Sequence, residues 1–252
     1  MAGKIIVFAN QKGGVGKTTS AASLGAYMAE SGKRILLVDF DPQANLTSSF
    51  GIDGSRPGIY ELLTEQVTIS AALQPTLVEN LSIIPSNINL TGANVELISE
   101  QNRETFLKRR IQPILSEWDY VLVDCPPSLG LLTLNGLVAA DFVLIPLQCE
   151  YFALEGLSLL LKTIQRVQQS ANPHLEVGGI IFTMYDPRTK LAHEVVEEVT
   201  GYFKEKVFRT IIPRNVRLSE APSHGLPINK YDAECIGAKS YQKLSAEVLS
   251  RV

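Results

Sequence analysis

Residues 12–19 read Lys-Gly-Gly-Val-Gly-Lys-Thr-Thr, and this short run decides the fold of the chain. Its ending, Gly16-Lys17-Thr18, matches the phosphate-loop pattern G-x-x-x-x-G-K-[ST], whose backbone N–H groups surround phosphate oxygens. Gln11 stands where that pattern has its first glycine, and a second lysine, Lys12, follows it. Because Lys17 already accounts for the β- and γ-phosphates, Lys12 is a cation in excess of what one nucleotide site needs.

The segments on either side of this run predict a strand and a helix. Residues 4–10 are a short apolar run rich in β-branched side chains, typical of a strand buried on both faces. Residues 18–32 follow a helical pattern that Gly32 is placed to end. A strand, a glycine turn and a helix N-terminus bind phosphate, because free N–H groups and the helix dipole face the anion. We expect the nucleotide to contact Lys12, Gly13, Gly14, Val15, Gly16, Lys17, Thr18 and Thr19.

Short apolar runs alternate with helical patterns along the rest of the chain. This alternation predicts an α/β fold with a mostly parallel twisted sheet and helices on both faces. After the first strand, the predicted strands are 34–41, 81–86, 120–126, 142–148, 178–186 and 206–213. The clearest predicted helices are 103–117, 153–170 and 189–204. With no low-complexity linker and no internal repeat, we expect residues 1–252 to form one domain.

Composition excludes several classes of protein. The net charge of −3 argues against a wholly basic nucleic-acid binder and leaves a local basic patch open. No apolar stretch approaches the ~18 residues of a membrane span, and we expect no signal peptide before the first strand. Cys125, Cys149 and Cys235 lack metal-ligand spacing, so we expect buried thiols in a reducing cytosol.

Two predicted strands end in aspartates that a phosphate loop can use. The second apolar run ends in Asp39 and Asp41, and the fourth ends in Asp124. Ligands bind beyond the carboxyl ends of parallel strands, where carboxylates hold Mg²⁺ through its waters or orient an attacking water. Asp39 and Asp41 point to opposite faces if both lie in a strand, and we choose Asp41, nearer the end, to face the γ-phosphate. Asp124 is the better candidate to support Mg²⁺, with the hydroxyl of Thr18.

The remaining parts of a nucleotide need further contacts. Thr19, at the helix start, should bond the α-phosphate. The base and ribose require a strand-end loop, and residues 211–215 follow a predicted strand. From the residues alone, Asn215 is at least as well explained by a turn.

Six blocks of sequence resemble the deviant Walker-A ATPases and, within them, the ParA/Soj chromosome- and plasmid-partition proteins. The blocks are 12–19, 38–45, 123–128, 148–156, 183–189 and 212–223. The first block identifies only the superfamily, whereas the last two match the Soj-type group closely. Cys125 stands where many relatives have Ala or Thr, and a small buried thiol should be tolerated there. Similarity runs from about residue 3 to the end, and we expect no additional N-terminal DNA-binding extension.

The resemblance implies an ATP-bound homodimer with a role for each site residue. In this family the lysine matching Lys12 crosses to the partner's phosphates and acts like an arginine finger. Lys17 serves the nucleotide in its own subunit, and the aspartate matching Asp41 orients the hydrolytic water. The aspartate matching Asp124 supports the metal, and Pro213 to Asn215 supply the adenine-side contact.

The resemblance also implies that the ATP dimer binds double-stranded DNA without sequence preference, through basic residues on the face away from the nucleotide. Family matches are Arg188 and Arg217, and additional candidates are Lys204, Lys206, Arg214 and Lys230. Residues 204–231 hold six basic residues against two acidic ones, a local charge of +4 in an acidic chain. A ParB-type centromere-binding partner should stimulate weak hydrolysis of ATP to ADP and phosphate. That cycle would segregate a chromosome or plasmid on the nucleoid, in the cytoplasm.

Two rival functions share this nucleotide chemistry. A MinD-like membrane-cycling ATPase ends in a basic amphipathic helix, whereas residues 240–252 lack a strongly cationic face, so we expect core packing for Tyr241, Leu244, Val248 and Leu249. An electron-transfer ATPase of the nitrogenase iron-protein kind needs paired cysteines for an iron–sulfur cluster, which three scattered cysteines do not supply.

Overall fold

The computed structural model describes residues 3–150 and 153–252, and its centre is a sheet of seven strands within those ranges. The strand order is β3-β4-β2-β5-β1-β6-β7, and all neighbours are parallel except β3 and β4. The strands are β1 (Lys4–Phe8), β2 (Ile35–Asp39), β3 (Gln74–Pro75), β4 (Leu81–Ile84), β5 (Tyr120–Asp124), β6 (Phe142–Gln148) and β7 (Glu176–Thr183). The predicted class, a mostly parallel α/β sheet, is confirmed.

Helices lie between the strands and on both sides of the sheet. The α-helices are α1 (Lys17–Glu30), α2 (Asn45–Ser48), α3 (Ile59–Leu63), α4 (Ile69–Ala72), α5 (Leu90–Glu96), α6 (Phe106–Ile111), α7 (Leu131–Ala139), α8 (Ala153–Ser170), α9 (Lys190–Phe203), α10 (Val216–Glu220), α11 (Ile228–Tyr231) and α12 (Ile236–Arg251). Shorter 3₁₀ segments are Leu97–Ser99, Arg103–Thr105, Gln112–Glu117, Lys204–Lys206 and Ala221–His224. Tyr151 and Phe152, which belong to the resembling block 148–156, lie outside the described residues.

The central strands are buried on both faces, as their apolar runs predict. Along β2, Leu36 and Val38 pack into the hydrophobic cluster on one side of the sheet, while Ile35 and Leu37 pack into the other. Side chains alternate between faces along a strand, so a parallel strand between two helical layers must be apolar at nearly every position. The polar residues that do occur therefore collect at the strand ends.

One predicted strand, 206–213, is wrong. This segment forms no continuous ladder with the edge strand β7: isolated bridges pair Ile180 of β7 with Val207 and Tyr185, beyond β7, with Pro213. The N–H groups of Phe208 and Ile212 donate to the β7 carbonyls of Ile180 and Phe182 at 3.0 and 2.9 Å. Between them the backbone N–H groups of Arg209 and Thr210 donate to the Glu247 carboxylate of α12 at 2.8 and 3.1 Å. Two consecutive N–H groups that bind one carboxylate are not those of a regular strand, in which they would point to opposite edges, so the pairing with β7 is interrupted here.

The predicted helix 103–117 is also interrupted. It divides into two 3₁₀ segments around α6, and Pro113 lies at the start of the second. Proline has no backbone N–H to donate and crowds the preceding turn, which ends the α-helix.

The C-terminal helix packs against the helix that follows the phosphate loop. The hydroxyls of Ser20 in α1 and Tyr241 in α12 lie 3.0 Å apart, and Tyr241 is fully buried. Leu244 and Val248 are buried in the same cluster, so the expected core packing of this helix is confirmed. Within the described residues, no helix is long and apolar enough to cross a membrane.

A backbone contact between two glycines joins α2 to the C-terminal region. Gly51 and Gly225 both have φ near +64°, in the left-handed region that glycine adopts without strain. A Cβ on Gly225 would meet the Gly51 Cα at 2.8 Å, too close for any side chain. This contact holds the segment after β2 against residues 221–225.

Replacing Gly225 by alanine tests this contact, with Gly32→Ala as its matched control. Gly32 also has a positive φ, yet a Cβ there would meet no atom within 4 Å. We expect Gly32→Ala to lower the free energy of unfolding by about 1 kcal/mol, the cost of left-handed backbone. Gly225→Ala should cost about 1–3 kcal/mol more because of the clash. Urea denaturation measures both, and equal losses would show that the glycines are not held together.

Candidate functional site

The glycine loop between β1 and α1 presents an open helix N-terminus. Gly14 and Gly16 have φ of +73° and +84°. Gly16 is also the N-cap of α1, where no side chain accepts a hydrogen bond from the first turn. The first N–H groups of a helix have no intrahelical partner and carry partial positive charge. The loop is therefore built to receive an anion.

Neighbouring strand ends hold this loop in place. Asn10 is buried, donates from Nδ2 to the Pro146 carbonyl at 2.7 Å and accepts the Lys12 N–H on Oδ1 at 3.0 Å. The Thr183 hydroxyl, at the end of β7, donates to the Val15 carbonyl at 2.8 Å. Neither Asn10 nor Thr183 was predicted from the sequence. Their signal was the same as for the aspartates, a polar residue at the end of an apolar strand.

The two lysines of the loop have different surroundings. Lys17 is buried, and its Nζ donates to the Lys12 carbonyl at 3.0 Å. Burial lowers the pKa of Lys17, and the charge of Asp124 partly opposes that shift. The Lys12 side chain is exposed and forms an ion pair with Glu150 of the same chain. Glu150 follows β6, and no role was predicted for it from the sequence.

Asp124 and Thr18 meet beneath the loop. The Thr18 hydroxyl donates to Asp124 Oδ2 at 2.6 Å, while the other carboxylate oxygen, Oδ1, is buried without a hydrogen-bond partner. Burial raises the pKa of Asp124 well above its ordinary value, and the nearby Asp39 adds to the effect. An unpartnered buried oxygen is costly unless a cation or water meets it. Carboxylate and hydroxyl oxygens are the donors that Mg²⁺ takes, so this pair fits that ion.

The two aspartates after β2 occupy different places. Asp39 is the last residue of the strand and is fully buried, and burial raises its pKa to about 6. Asp41 lies two residues beyond the strand and lines the cavity beside Lys17 and Thr18. The alternation of side chains between the faces of a strand does not distinguish Asp39 from Asp41, because Asp41 lies outside the strand. The chain turns at this point, and Asp41 Oδ1 accepts the Gln43 N–H at 3.0 Å.

Two adjoining cavities extend along the carboxyl edge of the sheet. The first, about 370 Å³, contains the loop glycines, Lys17, Thr18 and Asp41. The second, about 330 Å³, shares Gly16, Thr19 and Met184 with the first and has a mostly apolar lining. Its other wall is Ile212, Pro213, Arg214, Asn215, Val216 and Leu218. A cavity that contains Lys17, Thr18 and Asp41, beside one bordered by Ile212, Pro213 and Val216, suits the phosphates and the base of a nucleotide.

Asn215 has a structural task as well as a place in the cavity wall. Its Oδ1 accepts the Arg217 N–H at 2.9 Å and caps α10. The turn role and the nucleotide-side role that the sequence left open are thus compatible. One atom caps the helix while the residue borders the cavity.

Four of the candidate DNA-binding residues, Arg188, Arg214, Arg217 and Lys230, lie on neighbouring segments, whereas Lys204 and Lys206 lie at a distance. Arg188 follows β7 and binds the Asp186 carboxylate at 2.9 and 2.7 Å, and Arg217 pairs with Glu220 at 2.9 Å. Arg214 borders the second of the two cavities, so it lies on the nucleotide side. Lys204 and Lys206 follow the far end of α9, a 14-residue helix about 21 Å long that starts near Arg188.

Lys230 lies on α11, close to Arg217, because Asp232, two residues after Lys230, pairs with Arg217 Nε at 3.4 Å. The Lys230 Nζ pairs with Glu30, at the end of α1, at 3.1 Å.

A glycine loop on a helix N-terminus, a buried lysine and carboxylates at adjacent strand ends define a P-loop nucleotide-binding protein. Residues 3–177 match a protein-family model described as an AAA domain. The chain belongs to this family and, by its relatives, to the Soj/ParA chromosome-partition ATPases.

Two curated relatives carry the group's name. The chain is 61% identical over 249 residues to the chromosome-partitioning ATPase Soj of Treponema pallidum, covering 99% of this chain and 98% of the relative. It is 52% identical over 248 residues to the sporulation initiation inhibitor protein Soj of Bacillus subtilis, covering 98% of each.

Solved structures share the fold. A cobyrinic acid a,c-diamide synthase from Mycobacterium smegmatis, with bound ATP analogue and magnesium, has a TM-score of 0.86 and 40% identity. The match covers 98% of this chain and 94% of that one. The cell division ATPase MinD of Pyrococcus furiosus has a TM-score of 0.83 and 25% identity, covering 99% of this chain and all of that one.

Proposed function

We propose that this protein is a Mg²⁺-dependent ATPase that dimerises around ATP, binds DNA as the dimer and segregates a chromosome or plasmid. The observation that carries the proposal is that the two loop lysines have different surroundings. Lys17 is buried at the phosphate cavity, while Lys12 projects outward and pairs with an exposed carboxylate. A surplus cation beside a phosphate site, and outside its own cavity, is placed to serve a second copy of the site.

Within one subunit, different residues contact different parts of ATP. The loop N–H groups and Lys17 bind the β- and γ-phosphates, and Thr19 bonds the α-phosphate. Thr18 and Asp124 would hold Mg²⁺, which neutralises charge on the phosphates when bound. Asp41 orients the water that attacks the γ-phosphate, because it is the carboxylate at that end of the cavity. Pro213 and Asn215 border the adenine.

Between subunits, Lys12 must change partners. In the single chain its ammonium binds Glu150, and both side chains are about half exposed. An exposed ion pair contributes little, on the order of 0–1 kcal/mol, so phosphate oxygens of a facing subunit can displace it. The ATP-bound state then requires two chains, and each active site is incomplete without the other.

DNA contact is proposed for Arg188 and Arg217, with Lys204, Lys206, Arg214 and Lys230 as secondary candidates. Both arginines are exposed and paired with acidic neighbours on short local segments, Arg188 with Asp186 and Arg217 with Glu220. Phosphates of the DNA backbone replace such partners readily and without reading sequence. A ParB-type partner is proposed to stimulate hydrolysis and release the dimer. This cycle places the protein in the cytoplasm, at the nucleoid.

The names of the relatives point to partition rather than to other activities of the fold. The structure named as a synthase is 40% identical, whereas the two Soj relatives are 61% and 52% identical over nearly the whole chain. A MinD-like membrane cycle is disfavoured because Tyr241, Leu244 and Val248 of the last helix are buried in the core.

Lys12→Ala tests the proposed dimer, with Lys33→Ala as a control of equal charge beyond the other end of α1. We expect Lys12→Ala to bind ATP within about threefold of the parent but to remain monomeric, because its role lies in the partner's site. Size-exclusion chromatography with light scattering, in ADP and in ATP, gives the result. An ATP dimer of unchanged stability would refute the role between subunits.

Asp41→Ala tests the water-orienting role. We expect hydrolysis to fall by roughly 100-fold or more while ATP binding persists, leaving the protein trapped as a DNA-bound dimer. Phosphate release and co-sedimentation with DNA measure the two effects. Hydrolysis at the parent rate would remove Asp41 from the mechanism.

Arg217→Ala tests the DNA contact, with Arg34→Ala as the matched control. Both arginines are exposed and ion-paired, but Arg34 precedes β2 and binds Asp119 at the opposite edge of the sheet. We expect only Arg217→Ala to weaken DNA binding, with the slope of log K against log salt reduced by about 1 for each DNA phosphate that is no longer neutralised. Fluorescence anisotropy at several salt concentrations measures the slope. A similar change in both variants would indicate an effect of net charge rather than a direct phosphate contact.

A further inference from the structure

Asp39 is a buried carboxylate that the proposed chemistry does not use. It ends β2 directly beside Asp124 of β5, and it is fully buried. Its Oδ2 accepts the N–H and the hydroxyl of Thr47 at 2.8 and 2.6 Å, and its Oδ1 accepts the Asp41 N–H at 3.3 Å. Every hydrogen bond that the Asp39 carboxylate accepts in the described part of the chain thus comes from residues 41–47, the segment we name the Asp41 loop.

The Asp41 loop is closed into a ring by this carboxylate. It leaves the sheet at Asp39 and returns to the same side chain at Thr47, eight residues later. The Thr47 hydroxyl also accepts the Ser86 N–H at 2.9 Å, which ties the ring to the segment that follows β4. Thr47 and Ser86 are both buried. Asp41 therefore stands on a loop whose two ends are fixed to adjacent strands through one hydroxyl and one carboxylate.

Stability alone does not explain this arrangement. A buried carboxylate carries a desolvation penalty that hydrogen bonds only partly offset, and apolar residues of similar volume usually stabilise as well or better. Phe40, just before the loop, and Leu46, within it, already pack into the two hydrophobic clusters on either side of the sheet. The hydrogen bonds between Asp39 and Thr47 therefore fix the position of a loop that apolar packing already holds. Three residues of the loop border the phosphate cavity, Asp41, Gln43 and Asn45, and Asp41 is the carboxylate among them.

We propose that Asp39 and Thr47 are positioning residues for ATP hydrolysis, which act by holding Asp41 against the γ-phosphate side of the cavity. This inference rests on the proposed role of Asp41 in orienting the attacking water. A water-orienting group must be placed closely, because a displacement of about 1 Å can cost on the order of 100-fold in rate. A merely structural role would reduce stability and ATP binding together and spare hydrolysis once ATP is bound.

Thr47→Val removes the hydroxyl and keeps the shape of the side chain. We expect the dissociation constant of a non-hydrolysable ATP analogue to stay within about twofold and single-turnover hydrolysis to fall roughly 10- to 100-fold. Thr47→Ser, which restores the hydroxyl, should return hydrolysis to within a few fold of the parent. In the Asp41→Ala background, Thr47→Val should have no further effect, because both act on one step.

Thr76→Val is the matched control. The Thr76 hydroxyl also bridges two backbone groups, donating to the Leu81 carbonyl at 3.0 Å and accepting the Val78 N–H at 3.1 Å. It does so at the start of β4, the end of the sheet away from the cavity. Hydrolysis by Thr76→Val should equal that of the parent.

If Thr47→Val fails to fold, Asp39→Asn tests whether Asp39 positions Asp41 or only stabilises the fold. The asparagine keeps the volume and one oxygen but replaces the other acceptor by a donor, so the ring cannot close as before. We expect hydrolysis to fall at least 10-fold while the dissociation constant of the ATP analogue stays within about twofold, because the Asp41 loop loses its fixed position and the phosphate-binding residues are untouched. Parallel losses of the unfolding midpoint in urea, ATP binding and hydrolysis would instead show a structural role and overturn the proposal.

The outcomes also separate a failure of the positioning role from a failure of the proposed ATPase mechanism on which it rests. Parent-like hydrolysis by both Thr47→Val and Asp39→Asn, with Asp41→Ala inactive, would refute the positioning role and leave the ATPase mechanism standing. Parent-like hydrolysis by Asp41→Ala would remove the mechanism itself.

Discussion

Two aspartates that face each other across adjacent strands impose the main electrostatic constraint on this structure. Asp39 and Asp124 are register partners in β2 and β5, and both are fully buried. Like charges so placed raise each other's cost of ionisation, and the surroundings must supply donors or cations. Asp124 receives the Thr18 hydroxyl and the field of Lys17, while Asp39 receives Thr47 and the Asp41 backbone. The phosphate loop and the Asp41 loop are thus each anchored to one member of the pair.

Through this pair of aspartates, the residues that surround the phosphate cavity are attached to the ends of β2 and β5. Thr18 belongs to the helix that receives the phosphates, and its hydroxyl bond to Asp124 joins that helix to β5. Asp41 stands on the loop that Asp39 closes. A phosphate group that enters between them meets the open N-terminus of α1 on one side and a carboxylate on the other. Under the proposed function, binding and hydrolysis draw on adjacent strands of one rigid sheet.

Much of the fold was predictable because its signals are local. The apolar strands, the glycine run and the helix after it are each encoded within a few residues, and β1, β2, β5 and β6 were found where expected. The strand at 206–213 failed because Glu247, 37 and 38 residues away, binds the consecutive N–H groups of Thr210 and Arg209 and interrupts the pairing of this segment with β7. Gln74–Pro75 was missed because two residues carry no periodicity.

By itself the sequence determined that a phosphate loop follows the first strand and that aspartates stand at neighbouring strand ends, since motif spacing and hydrophobic periodicity are properties of contiguous residues. Tertiary structure decided that Asp41 lies beyond the strand rather than on its other face, what holds Lys12 and what closes the Asp41 loop. Those contacts join Lys12 to Glu150 across 138 positions, Thr18 to Asp124 across 106 and Thr47 to Ser86 across 39. Partners so distant in the chain meet only when parallel strands bring their carboxyl ends to one edge, and no local pattern encodes that meeting.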